Sequence, residues 1–196
     1  MVADTNQSFP TFLAGTQVLF NGIPAPLIYA QAGQVSAIVL WELKGSSSTA
    51  VTVEYQQANS TPVTASIAGS STALFTLGGG YGPGAILNQD YTVNSASNPA
   101  KAGSVILLYG PGGGALQASA TDGALAMGAE LLQANVSVLV GGQPAQVLYA
   151  GTAPGLVNGL VQINVQLPEG VTGAAVPVLA TFGQYISQSG VTVAIQ

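Results

Sequence analysis

The chain contains no cysteine, no histidine and no arginine, and its only basic side chains are Lys44 and Lys101. Each absence removes a class of function. Without cysteine there are no disulfides and no thiolate metal sites. Without histidine or cysteine, a serine nucleophile would need a lysine or a carboxylate as its base. Lys44 and Lys101 lie in Gly/Ser-rich and Asn/Pro-rich stretches, outside any nucleophile–base motif. Seven scattered acids offer no spacing that predicts a catalytic carboxylate pair. The sequence therefore predicts no enzyme and no cofactor. Two cations and a net charge of −5 exclude an electrostatic grip on a phosphate backbone, so nucleic acid is not expected as a partner. Charged residues make up 5% of the chain, against about 25% in ordinary globular proteins. A surface so poor in charge lacks the self-repulsion that keeps monomers apart. Long apolar runs are missing too. Gly, Pro, Ser or Gln interrupts the hydrophobic stretches every few residues, so no segment reaches the ~18–20 residues of a membrane span.

What is present is a repeat. Val18–Ala30 reads VLFNGIPAPLIYA and Val138–Ala150 reads VLVGGQPAQVLYA, and echoes follow at Val35–Val39 with Ile163–Leu167 and at Ala50–Val53 with Ala175–Val178. Internal self-similarity of this kind implies two copies of one domain. Short apolar or alternating runs bounded by turn residues predict strands at Gln17–Phe20, Leu27–Ala30, Val35–Leu40, Ala50–Gln56 and Val63–Ile67. The second half offers Ser104–Tyr109, Val136–Val140, Gln146–Ala150, Val161–Gln166, Val176–Phe182 and Val191–Ile195. Asn21-Gly22 and Gly141-Gly142 occupy the same place in both copies and predict two-residue hairpin turns. One helical candidate, Asp122–Leu132, is short and weakened by Gly128. The expected architecture is all-β, with two tandem immunoglobulin-like sandwiches. Residues 1–77 form the first, 78–101 a packed Gly/Asn/Pro-rich connector, and 102–196 the second.

The copies differ in one respect. The second is preceded by an apolar strand, Ser104–Tyr109, whereas the first is preceded only by MVADTNQSFPTFLAG. The first domain is thus expected to lack one strand and to expose an open edge near Gln17–Phe20 or Leu27–Ala30. Such an edge is a template for another chain.

Other motifs carry less. Gly110–Ala115 fits the dinucleotide fingerprint G-x-G-x-x-G/A, but Pro111 interrupts it and no helix follows, so it reads as a loop that lets a strand bend. Asn88, Asp90 and Asn94 could offer oxygen ligands to calcium, with a single carboxylate among them. Asx turns explain the same residues. N-x-S/T triplets begin at Asn6, Asn59 and Asn135, as chance allows in so Asn/Ser/Thr-rich a chain. Tyr29 and Tyr149 recur at one repeat position and read as structural residues with bonded hydroxyls. Trp41, Tyr81 and Tyr91 have no counterparts and are the aromatic interface candidates, either for protein or for glycans.

The segments FNGIPAPLIYA, VSAIV, LFTLGGGYGPGAILNQDYTVNSASNPAKAGSVILLYG, VGGQPAQVLYAG, VQINVQLP and the terminal GVTVAIQ together resemble the Solibacter-type uncharacterised C-terminal domain of secreted acidobacterial proteins. The resemblance spans nearly all of Thr16–Gln196. It implies tandem immunoglobulin-like or IPT-like β-domains and export to the cell surface or beyond, and it implies no catalytic residues. Members usually have a strand ahead of the first repeat, which this chain lacks. MVADTNQSF has neither a basic n-region nor an apolar h-region, so the extracellular location rests on the resemblance. The function expected is a structural protein that self-associates head-to-tail into a filament or array by strand complementation. The acceptor would lie at Gln17 and Leu19, and the donor would be Val2–Phe12 (with Val2, Phe9 and Phe12) or Val191–Gln196 (with Val191, Val193 and Ile195). The alternative is a passive adhesion or carbohydrate-binding module using Trp41.

Overall fold

A computed structural model describes residues 8–118 and 120–196 of the chain. The described residues are almost entirely β, with no α-helix and a single 3-10 turn at Trp41–Leu43. Among them, no helix is long and apolar enough to cross a membrane. The chain divides into two compact units. Unit 1 holds residues 8–69, 120–127 and 154–158, and unit 2 holds Ser70–Ala118, Gly128–Ala153 and Gly159–Gln196. These limits differ from the expected 1–77, 78–101 and 102–196. The expected connector lies wholly in unit 2, and two later segments join unit 1.

Unit 1 contains β1 (Thr16–Phe20), β2 (Ile23–Pro24), β3 (Leu27–Gln31), β4 (Gln34–Ala37), β5 (Ser48–Tyr55), β6 (Ala58–Asn59) and β7 (Val63–Ser66). β2, β1, β5, β6 and β7 make one sheet, and β3 and β4 make a separate two-stranded one. Residues directly opposite share a face, so the pairs Val18–Val53 and Phe20–Val51 point the same way. They meet Leu27 of β3 and Val35 and Ala37 of β4 in one apolar cluster, with Ala25, Leu40 and Leu43. Leu27 is fully buried.

Unit 2 contains β8 (Gly82–Pro83), β9 (Val105–Pro111), β10 (Val136–Val140), β11 (Gln143–Thr152), β12 (Leu160–Gln166), β13 (Gly173–Phe182), β14 (Tyr185–Ile186) and β15 (Val191–Ile195). Its ladder runs β8-β15-β13-β10-β11-β12-β9, with β14 added to β13. Alternate residues of these strands are buried: Val138 and Val140, then Val161, Ile163 and Val165, then Val176, Val178, Ala180 and Phe182. Period-2 burial on β10, β12 and β13 means that one face of the sheet covers the core. Because Gly84 N bonds Thr192 O of β15 while Leu87 N bonds Leu107 O of β9, the sheet curls until its end strands approach. The ten-residue strands β11 and β13 carry the curl, each with a register shift along its length.

The repeat is visible strand by strand. Asn21 and Gly22 have φ of 50° and 83°, and Gly141 and Gly142 have 60° and 78°. These left-handed pairs close β1 onto β2 and β10 onto β11. The register shift between Leu27 and Tyr29 recurs between Val147 and Tyr149. The copies part at one position. Gln146 lets β11 run unbroken into its pairing with β12, whereas the equivalent Pro26 has no N–H for a ladder. There the strand splits into β2 and β3, and the β3–β4 hairpin becomes a sheet of its own.

Asp122–Leu132 is not helical. Its backbone groups are bound across the chain, in the bridges Leu125–Val157 and Leu131–Gly151, and Gly123 takes φ of 72°. The Thr49 hydroxyl, on β5, is buried with no hydrogen-bond partner. Replacing an unsatisfied buried hydroxyl by a methyl of the same shape removes a desolvation penalty. Thr49→Val is therefore expected to raise stability by ~1 kcal/mol, read as a higher urea midpoint at unchanged m-value.

Candidate functional site

The strand equivalences locate the missing strand. In unit 2, β12 pairs with β11 on one edge and with β9 on the other, and the cross-strand pairs Ile163–Leu108 and Val165–Ile106 are almost completely buried. In unit 1, β4 takes the place of β12 beside β3, and no described strand pairs with its outer edge. Val35 and Ala37 are consequently only half-buried. Among the described residues, the open edge is that of β4.

It is not where the sequence reading placed it. β1, with Gln17 and Leu19, is an inner strand. β5 pairs with one edge, while β2, Leu13 and Ala25 take the other, through Thr16 N to Leu13 O at 2.9 Å and Ala25 N to Val18 O at 2.8 Å. At β3, Leu27 N donates to Pro10 O at 2.8 Å, so the chain's own N-terminal segment already occupies that position. A second open edge belongs to β7, which pairs only with β5 among the described residues. Val63 is 65% exposed there, and Thr64 and Ser66 are exposed.

The terminal strand is already taken up in its own unit. Val191, Val193 and Ile195 are core residues, 0%, 1% and 4% exposed. β15 pairs with β13 on one edge. On the other, Gly82 N donates to Gly190 O, Gly84 N to Thr192 O and Ala100 N to Ala194 O, and Gln196 N returns to Ala100 O. The other proposed donor, Val2–Phe12, falls partly outside the described residues, Val2 included. Phe9 is half-buried and Phe12 is 58% exposed.

The calcium candidates are structural. Asn94 Nδ2 donates to Asn88 Oδ1 and to Ala194 O, both at 2.9 Å, and Asn94 Oδ1 accepts from Ala194 N at 2.8 Å. Asn88 Nδ2 reaches Asn98 O at 3.1 Å. Asp90 Oδ1 accepts from the Thr92 hydroxyl and backbone N–H, bonds that hold its carboxyl below the usual range. Asn88 and Asn94 are buried, and their oxygens face protein donors rather than a shared cavity. The described residues contain no cluster of three or more acidic or histidine ligands.

The glycine loop at Gly110–Ala115 also has a structural purpose. Ser71 N donates to Gly112 O and Phe75 N to Tyr109 O, so the 71–75 segment lies against β9. A Cβ on Gly110 or Gly112 would strike the carbonyls of Ala73 or Ser71. Tyr149 donates its hydroxyl to Thr152 O at 2.7 Å, as its repeat position suggested. Tyr81 and Tyr91 are 71% and 72% exposed in unit 2, whereas Trp41 is half-buried in unit 1. Tyr91 lies close enough to Tyr109 to help burial raise the Tyr109 pKa.

One pair escaped the sequence reading, because its members are eighty residues apart in the chain. The Trp41 backbone N–H donates to Asp122 Oδ1 at 3.0 Å, and Glu42 faces the same carboxyl. Burial, opposed by the Trp41 bond and helped by Glu42, pushes the Asp122 pKa up to about 6.

No protein-family model and no curated protein matches this chain.

Two outcomes follow from these geometries. A raised folded-state pKa stabilises the protein fully below the ordinary value of 3.8, and that contribution is lost as pH rises through about 6. Asp122→Asn keeps the acceptor for Trp41, so it should be more stable than the parent at pH 7.5, by on the order of 1 kcal/mol after solvent screening. The gain should vanish by pH 4 in urea titrations. Asn94→Ala leaves the buried Ala194 N–H without its partner, while Ala194 O keeps Ala100 N, and is expected to destabilise by about 1–3 kcal/mol, with millimolar calcium leaving the parent's melting temperature unchanged.

Proposed function

We propose that this chain is a non-catalytic structural protein that self-associates head-to-tail at the cell surface or outside the cell. The β4 edge of one copy would accept the β7 edge of the next. The observation that carries the reading is the outer edge of β4, unpaired among the described residues, at the position where β12 holds β9 in the second copy of the same repeat. Pairing there would finish the burial of Val35 and Ala37 and satisfy a row of backbone donors and acceptors.

β7 suits the role of partner. Both strands are four residues long, Gln34–Ala37 and Val63–Ser66, and neither carries a charge. Soluble proteins guard such edges with lysine, proline or inward-pointing charge. Here Pro62 precedes β7, but nothing within either strand blocks pairing. Because the two edges are different surfaces of one unit, a β4–β7 contact is heterologous, and unless it closes into a ring it propagates. The low charge of the chain weakens repulsion between successive copies. The extracellular setting follows from the resemblance to the Solibacter-type domain, and the lack of histidine, cysteine and arginine supports a role without catalysis.

A four-residue edge contact is small, so association is expected at roughly 0.1–1 mM rather than at nanomolar concentration. Sedimentation velocity and negative-stain imaging across that range provide the test. Ser36→Lys and Val63→Lys should each remain monomeric, because a lysine guards one edge in each. An equimolar mixture should stop at a 1:1 dimer, since Ser36→Lys keeps its β7 edge and Val63→Lys keeps its β4 edge. A parent protein monomeric at 1 mM, or a single variant that still polymerises, sinks the reading.

A further inference from the structure

The N-terminal arm, residues 8–13, is held to the rest of unit 1 by backbone hydrogen bonds and by Leu13, which packs against the apolar cluster. Phe9 N donates to Gly123 O and Leu27 N to Pro10 O, each at 2.8 Å, and Ser8 bridges Ala124 in antiparallel fashion. Neither the arm (SFPTFL) nor the positions it touches, Leu27, Gly123 and Ala124, bears a charge. Backbone bonds of this kind do not depend on which copy of the chain supplies the strand, and a second copy would offer the same seat.

The arm is joined to β1 by a tight turn. Leu13 N donates to Thr16 O at 3.0 Å and Thr16 N to Leu13 O at 2.9 Å, enclosing Ala14 and Gly15. Both residues are left-handed, at φ of 50° and 77°. Glycine accepts that conformation freely, whereas the Cβ of Ala14 is crowded against its own carbonyl. An extended connection would release the strain. Strained short hinges invite protomers to trade the element beyond them.

We propose that the arm is exchangeable: residues 8–13 of one copy seat against Leu27 and Gly123–Ala124 of a second copy, opening at Ala14–Gly15. The exchange uses neither the β4 nor the β7 edge, so it stands or falls apart from the head-to-tail reading. Reciprocal exchange gives a closed dimer, and one-way exchange gives a chain.

The absence of native cysteine makes the test clean. Bridged antiparallel residues have Cα atoms about 4.5–5.5 Å apart, within disulfide reach. A chain carrying both Ser8→Cys and Ala124→Cys should close an internal disulfide when oxidised dilute, which verifies the seat. The two substitutions are then placed in separate chains, each also carrying Ser36→Lys so that edge association is blocked. These are mixed at high concentration, held near the unfolding midpoint, cooled and oxidised. A disulfide-linked dimer containing one chain of each kind is expected on a non-reducing gel, and it should disappear when the mixture is held dilute. Adding Ala14→Gly, which relaxes the closed turn, should lower the dimer yield about five-fold. Ala14→Pro, which cannot reach positive φ, should raise it. Failure of the doubly substituted chain to close internally overturns the proposal, as does internal closure with no mixed dimer at any concentration.

Discussion

A strand carries two rows of backbone donors and acceptors, and every row must find a partner or face water. In unit 2 a single stretch of chain meets that requirement at both ends of the sheet. Ser71, Ala73, Phe75 and Leu87 bond to the outer edge of β9, and Gly82, Gly84, Asn94, Ala100 and Ala102 bond to the outer edge of β15. The curl of the sheet is what lets one segment serve both, because it brings the first and last strands within reach of the same stretch. The segment that reads as a connector is therefore an edge cover. Its asparagines mimic a strand where proline and glycine cannot, since Asn94 presents an amide to Ala194 much as a neighbouring backbone would.

Among the described residues, unit 1 has no such cover. The arm at Leu27 supplies a fragment of one, and the segments 120–127 and 154–158 brace each other through Leu125–Val157. Neither reaches the outer edges of β4 or β7. The same repeat is thus closed in one copy and open in the other.

Much of this was legible from the residues. Strands announced themselves by alternation and by turns that need left-handed residues, and Val136–Val140 and Val191–Ile195 match to the residue. The absent strand was legible too, because the copies could be compared. Its address was not. Period-2 patterning reports which face of a strand is buried and says nothing of which strand lies beside it, so the vacancy was placed at β1 and β3 when it belongs to β4. The same blindness to lateral neighbours made Val191, Val193 and Ile195 look available. Pro26 is readable as a ladder breaker, since it stands where the second copy has Gln146. The Asp122–Glu42 pair and the calcium triad failed in opposite directions. One joins residues distant in the chain, and in the other nearby residues turn toward their own backbone.

The interleaving of segments also sets an order of events during synthesis. Residues 8–69 leave the ribosome well before the pieces that complete their unit, 120–127 and 154–158, which emerge only after much of the second repeat has been made. That earlier segment must wait, with apolar surface uncovered, for contacts of high sequence separation. Its sparse charge gives little protection during that interval. Unit 1 cannot be completed before residues 154–158 are made, and unit 2 not before its core strand β15, so neither half closes until late in synthesis.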